Sequence, residues 1–131
     1  MQDDQQLGFI HRIDNVLFSH GGITDEFVRR YVLAKYYNDV DAVVNAVNGL
    51  DSDIMWQDLS PIWYRPQSYK GKMYKPRKLL QVVGHTPVER LEKDGNVLSC
   101  DVFSTYRDGS PIGTQEFLLL DTVSWEYHGI K

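Results

Sequence analysis

Two side chains in this sequence combine a reactive type with a telling position: His20 and His85. His20 ends the apolar part of LFSHGGIT, residues 17–24, and two glycines follow it at once. His85 sits in LLQVVGHTPV, residues 79–88, where an apolar run again meets a glycine and a histidine. Neutral imidazole is a common metal ligand. Gly21 and Gly22 would let the backbone bend and approach a ligand. Gly84 and Thr86 flank His85 in the same supporting manner. The spacing leaves two readings open. The two imidazoles share one metal, or they are hydrogen-bonded histidines at strand ends; two ligands alone are too few for a tight metal site.

The elements that would position these side chains follow from periodicity. Residues 15–19 read as a short buried strand, and so do residues 79–83. Each histidine therefore falls at the carboxyl end of a strand, the edge at which open α/β sheets bind ligands. Between the two strands, Thr24 offers an N-cap for a helix over 25–37, with Asp25 and Glu26 in its first turn. Asp39 caps a second helix over 40–48, stopped by Asn48-Gly49, and 51–58 predicts a third short one. Residues 60–78 hold three prolines and little periodicity, which predicts a long loop. After the second strand come a hairpin about Asp94-Gly95, a turn at Asp108-Gly109 and strands at 115–120 and 123–128. The order predicts a mixed α/β layered fold in a single domain over 1–131.

Composition narrows the function classes. The chain has 131 residues and 42% hydrophobic content, enough for a core. No apolar run approaches the roughly 20 residues of a membrane span, and the polar, acidic start is unlike a signal peptide. These features point to a cytoplasmic protein without a membrane partner. The lone Cys100, flanked by apolar residues, excludes an internal disulfide and reads as a buried, inert thiol. The net charge of −4 hides an asymmetry: residues 61–78 carry Arg65, Lys70, Lys72, Lys75, Arg77 and Lys78 and no acid. Such a segment attracts phosphates, nucleic acid or an acidic partner, or is simply a solvated loop. Trp56, Trp63 and Tyr64 bracket its start, either as a substrate mouth or as core packing.

HGGI at 20–23, SPIWYRP at 60–66 and VVGHTPV at 82–88 resemble, in order, three signatures of the metallophosphoesterases. The likeness is to the calcineurin-like, bacterial Ser/Thr-protein-phosphatase branch, since Pro87 stands where other branches carry a second histidine. The resemblance implies a layered sheet sandwich with flanking helices. It also implies a two-metal site of manganese, iron or zinc, and hydrolysis of phosphate monoesters by a metal-bridging hydroxide. On that resemblance His20 and His85 are ligands of one metal, Arg65 holds the substrate phosphate, and Gly21, Gly22, Gly84 and Thr86 form the supporting turns.

The family's other motifs, Asp-x-His, Gly-Asp-x-x-Asp-Arg and Gly-Asn-His, are missing from the sequence. The resemblance therefore implies only the C-terminal half of such a fold, an incomplete domain whose centre is weak or empty of metal and inactive alone. Asp101 is a conceivable third ligand. Partners expected on this basis are a phosphorylated substrate and either the missing N-terminal half or a second copy. The alternative functions are a non-catalytic assembly module that keeps the fold, or an anionic-partner binder through residues 65–78, with nucleic acid not the expected partner.

Overall fold

The computed structural model describes residues 8–69 and 71–131; the acidic start of the chain and Lys70 of the basic run lie outside the described residues. A five-stranded sheet in the order β1-β2-β3-β5-β4 forms the centre, and a separate two-stranded sheet, β6-β7, lies over one of its faces. β1 (Ile10–Ile13) and β2 (Val16–Ser19) form an antiparallel hairpin. β2 then pairs in parallel with β3 (Leu80–Val83), and β3 in parallel with β5 (Val97–Ser99). β4 (Glu92–Asp94) closes the far edge against β5. This is the mixed α/β layering that the sequence predicts. Among the described residues no helix is long and apolar enough to cross a membrane.

β3 lies between two parallel partners, so all four of its residues are buried, as its unbroken apolar run requires. Successive side chains face opposite layers. Val16, Leu80, Val82 and Leu98 meet Leu118, Leu120, Trp125 and Tyr127, the last four carried by β6 (Phe117–Leu120), β7 (Tyr127–Ile130) and the turn between them. Leu17 faces the other way, into a cluster with Ile10, Ile23, Phe27, Val43, Val47 and Tyr74. That second layer holds α1 (Asp25–Tyr31), α2 (Val40–Asn48) and the short α3 (Ser52–Met55).

The caps read from sequence are in place. Thr24 accepts a hydrogen bond from the Phe27 amide at 3.0 Å, and Asp39 accepts one from Ala42 at 3.1 Å. α1 stops at Tyr31, well short of residue 37, because Val32 turns extended and enters the core; a 3₁₀ turn over Ala34–Tyr36 follows. The last strand begins at Tyr127 and not at 123, because the Asp121 carboxylate accepts from the Val123 and Ser124 amides and holds a turn there. β1 has no counterpart in the sequence reading, since IHRI buries only Ile10 deeply and shows no alternation; the strand expected to come first is the second.

Residues 60–78 are more than a solvated basic loop. Among the described residues their only regular piece is α4 (Pro66–Tyr69), yet Tyr64, Met73 and Tyr74 are buried. The Tyr74 amide donates to Ile23 and the Asp25 amide to Lys72, so the segment straps the first histidine's loop to the helical layer.

Candidate phosphoryl-binding site

His20 leaves the end of β2 and His85 follows β3 by one residue, so the parallel pairing of β2 with β3 carries both imidazoles to one edge. They meet there. Nε2 of His20 lies 2.8 Å from Nδ1 of His85, with ring centroids 4.6 Å apart. The backbone supports the meeting, as the Gly84 amide donates to the His20 carbonyl at 3.0 Å. The Thr86 amide donates to the Gly84 carbonyl at 2.6 Å, closing a tight turn in which His85 takes φ +63°. A non-glycine residue held in that region costs about 1–3 kcal/mol and is a recurrent mark of functional turns.

The first histidine's loop is built against the segment at 60–64. The Gly21 amide donates to the Pro61 carbonyl at 2.5 Å, and Gly22 takes φ +90°, both of which suit glycine. A Cβ at Gly21 would meet the Tyr64 carbonyl oxygen far inside contact distance and the Tyr64 nitrogen and Pro61 oxygen at 3.0 Å. Buried Gln81 locks the loop from the sheet side, accepting from the Ile23 amide at 2.7 Å and donating to its carbonyl at 2.8 Å. Gly84 differs from the other two: a Cβ there would meet nothing within 4 Å, so no crowding demands a glycine beside His85.

The electrostatics make one imidazole a reluctant cation. Burial first, then the nearby His20 and the Arg65 guanidinium, push His85 below the usual histidine pKa, while Asp101 pulls in the opposite direction. Arg65 is exposed, and its charge is felt at the pair. Nε2 of His85 and Oγ1 of Thr86 are buried without a hydrogen-bond partner among the described residues. Two neighbouring orphaned polar atoms in a strained turn are unusual, because each carries a desolvation cost of about 1–3 kcal/mol.

Trp63 packs edge-on against His85 at 5.7 Å and at a shallow tilt against Trp56 at 5.6 Å. Phe9, Met55, Trp56, Ile62 and Trp63 line an apolar recess of about 250 Å³. A shallower cleft of about 450 Å³ holds His20 and shares Phe9 and Ile62 with the recess. That cleft also contains His11, on the β1 strand that sequence reasoning missed because its side chains are mostly exposed. His128 lies on β7 opposite Leu119, on a different sheet from the pair. Of the three aromatics at the loop entrance, Trp56 and Trp63 face outward and Tyr64 is core.

The donor set does not suit the metal that the resemblance implied. His20 and His85 direct a nitrogen at each other, and among the described residues no three His, Cys, Asp or Glu side chains converge on a point. Asp101 is occupied, both of its carboxylate oxygens accepting from the Ser104 hydroxyl at 2.9 Å. Cys100 is also no nucleophile. Its thiol is mostly buried, donates to the Val83 carbonyl at 3.3 Å, and is pushed up in pKa by burial and by Asp101.

No protein-family model matches the sequence, and no curated protein matches it. Solved structures do. The fold is similar over 97% of this chain to a cold-active protein-tyrosine phosphatase of the psychrophile Shewanella sp., with 22% identity and a TM-score of 0.55. A point mutant of a cold-active protein tyrosine phosphatase gives 20% identity and a TM-score of 0.51, again over 97% of this chain. A further structure of a cold-active protein tyrosine phosphatase gives 23%, 0.50 and 95%. The chain spans less than half of the length of each, 44%, 44% and 42%. At these identities the likeness establishes a fold held in common with phosphatases.

It also corrects the resemblance drawn from the three short motifs. The structures sharing the fold are described as tyrosine phosphatases, and not as calcineurin-like Ser/Thr metallophosphoesterases. The metal-dependent mechanism and the manganese, iron or zinc cofactor fall with that assignment. The assembly-module and nucleic-acid alternatives are not favoured either.

Proposed function

We propose that the histidine pair, Thr86 and Arg65 bind the phosphoryl group of an aryl phosphate, phosphotyrosine in the first instance, as part of a tyrosine-phosphatase-like protein. The observation that carries this reading is the 2.8 Å contact of His20 with His85 beside the orphaned Nε2 of His85 and Oγ1 of Thr86. When the pair takes up one proton beyond its neutral state, which an incoming dianion favours, it joins the Arg65 guanidinium in offering two positive charges. The apolar recess beside Trp63 supports an aromatic ester, because a ring can enter it while its phosphate stays at the histidines. His20, the exposed member, is placed to pass a proton to the leaving oxygen. A phenol, with a pKa of about 10, needs less help to leave than an alcohol does. The structures sharing the fold are more than twice as long, so turnover is proposed to need a complementary segment, on the same chain or a partner. The cytoplasm is the proposed compartment, where a free thiol such as Cys100 stays reduced.

The test is titration of the protein with O-phosphotyrosine and, separately, O-phosphoserine, followed by NMR of the histidine ring protons. Phosphotyrosine should shift both His20 and His85 and bind about 2–12-fold tighter than phosphoserine, the range expected of one stacked ring. Arg65→Ala should weaken both ligands, and Trp63→Ala should weaken only the aryl one. Unmoved histidines, or equal affinities with and without Trp63, would sink the reading.

A further inference from the structure

At the opposite end of the sheet lies a second concentration of positive charge. Arg12 of β1, Asn15 before β2, Asn38 before α2, and Lys75, Arg77, Lys78 and Leu79 leading into β3 line a cleft of about 500 Å³ walled by Trp125. No carboxylate lines it. Asp41 meets Arg12 at 2.9 Å from outside, with a side chain 76% exposed, so it is screened by water. Among the described residues Lys75, Arg77 and Lys78 form no ion pair.

The two amides sharpen the chemistry. Arg12 donates to the Asn15 side-chain oxygen at 3.0 Å and Lys75 to the Asn38 side-chain oxygen at 2.7 Å. Arginine and lysine can only donate, so both amide oxygens are committed to cations and both NH₂ groups remain as donors. The cleft therefore presents donors and positive charge almost exclusively. That composition repels cations and leaves neutral acceptors no advantage over a charged oxyanion.

We propose that this cleft is a second oxyanion site that takes a small, multiply charged phosphate such as a diphosphate. It is separate from the histidine pair. Leu79 and His85 are six residues apart along β3 and its end, roughly 20 Å in an extended strand, so no small anion reaches both. Its existence therefore does not depend on the function proposed for His20 and His85. Lys75, Arg77 and Lys78, crowded together without an ion pair among the described residues, disfavour the unliganded state, and a dianion bridging them removes that repulsion.

The experiment uses inorganic pyrophosphate as the probe, titrated into the whole chain with amide NMR at about 0.15 M salt. Saturable shifts confined to residues 12–15, 38–40 and 75–79 are expected, with His20→Ala/His85→Ala leaving them unchanged. Arg77→Gln/Lys78→Gln, two exposed and unpaired positions, should weaken binding about tenfold. Lys75→Gln is the independent second variant and should weaken it as well. The proposal is overturned by shifts that fail to saturate, by shifts at residues 20 and 85 alone, or by a double variant that binds like the wild type. It is also overturned if a short single-stranded oligonucleotide binds more tightly than pyrophosphate across a wider footprint, since the occupant would then be a macromolecule.

Discussion

Two glycines that look equivalent in the sequence should respond differently to the same substitution. Gly21→Ala places a methyl group against the Tyr64 carbonyl and within 3.0 Å of the Tyr64 nitrogen and the Pro61 oxygen. All three obstacles are backbone atoms, so no rotamer change relieves the overlap. The segment at 60–64 must move away, and the 2.5 Å bond from the Gly21 amide to Pro61 must stretch with it. Overpacking of this kind costs about 1–3 kcal/mol, to which weakening one backbone hydrogen bond adds about 1 kcal/mol. A total near 2–4 kcal/mol should lower Tm by roughly 6–16 °C in a domain of this size. Gly84→Ala meets nothing within 4 Å and has no positive φ, so it should stay within about 0.5 kcal/mol of the wild type. Thermal melts followed by circular dichroism measure both, and the His20 ring-proton shifts report whether the loop has moved. If the two variants melt within about 2 °C of one another, the packing of residues 60–64 against the first histidine's loop has been misread.

Two other outcomes follow from the same site. Gln81→Met keeps the volume of a fully buried side chain but strands the amide and carbonyl of Ile23; urea unfolding should show a loss of about 2–4 kcal/mol, and a loss under about 0.5 kcal/mol would show that the loop holds itself. His85 should titrate below the ordinary imidazole value of about 6.5 and move up in Arg65→Ala, which removes one of the charges opposing its protonation. Because the native state binds that proton less readily than the unfolded chain, stability should rise with pH up to about 6.5 and fall below it; a His85 that titrates at or above 6.5 would contradict the site's electrostatics.

The sequence carried the parts of this fold that local physics dictates. Thr24 and Asp39 were legible as caps because a side-chain oxygen at that position satisfies an amide nothing else can reach. β2 and β3 were legible because strands buried on both faces read as apolar runs. A general rule for strand ends then put His20 and His85 at the carboxyl edge, and the structure shows that they meet there. What escaped depends on tertiary context. β1 is an edge strand whose side chains are mostly exposed, so no pattern marks it. The end of α1 is set by the burial of Val32, and the basic cleft assembles from residues 12, 38 and 75–78, which are distant in sequence. The motif likeness went wrong for a related reason. HGGI and VVGHTPV encode turns at strand ends and SPIWYRP a turn ahead of a short helix, so they report backbone geometry more faithfully than they report the chemistry performed there.

The parallel pairing of β2 with β3 also sets when the site can exist. Its two imidazoles are 65 residues apart, joined by a crossover that runs through the helices and the strap at 60–78. Closing a loop of that length costs about 4 kcal/mol of chain entropy before any contact repays it. The hairpins β1-β2, β4-β5 and β6-β7 close over only a few residues each and can form early. The histidine contact has no such local route. It marks the moment when the crossover docks, and a ring proton on either histidine would serve as a clock for the slowest step in the chain's assembly.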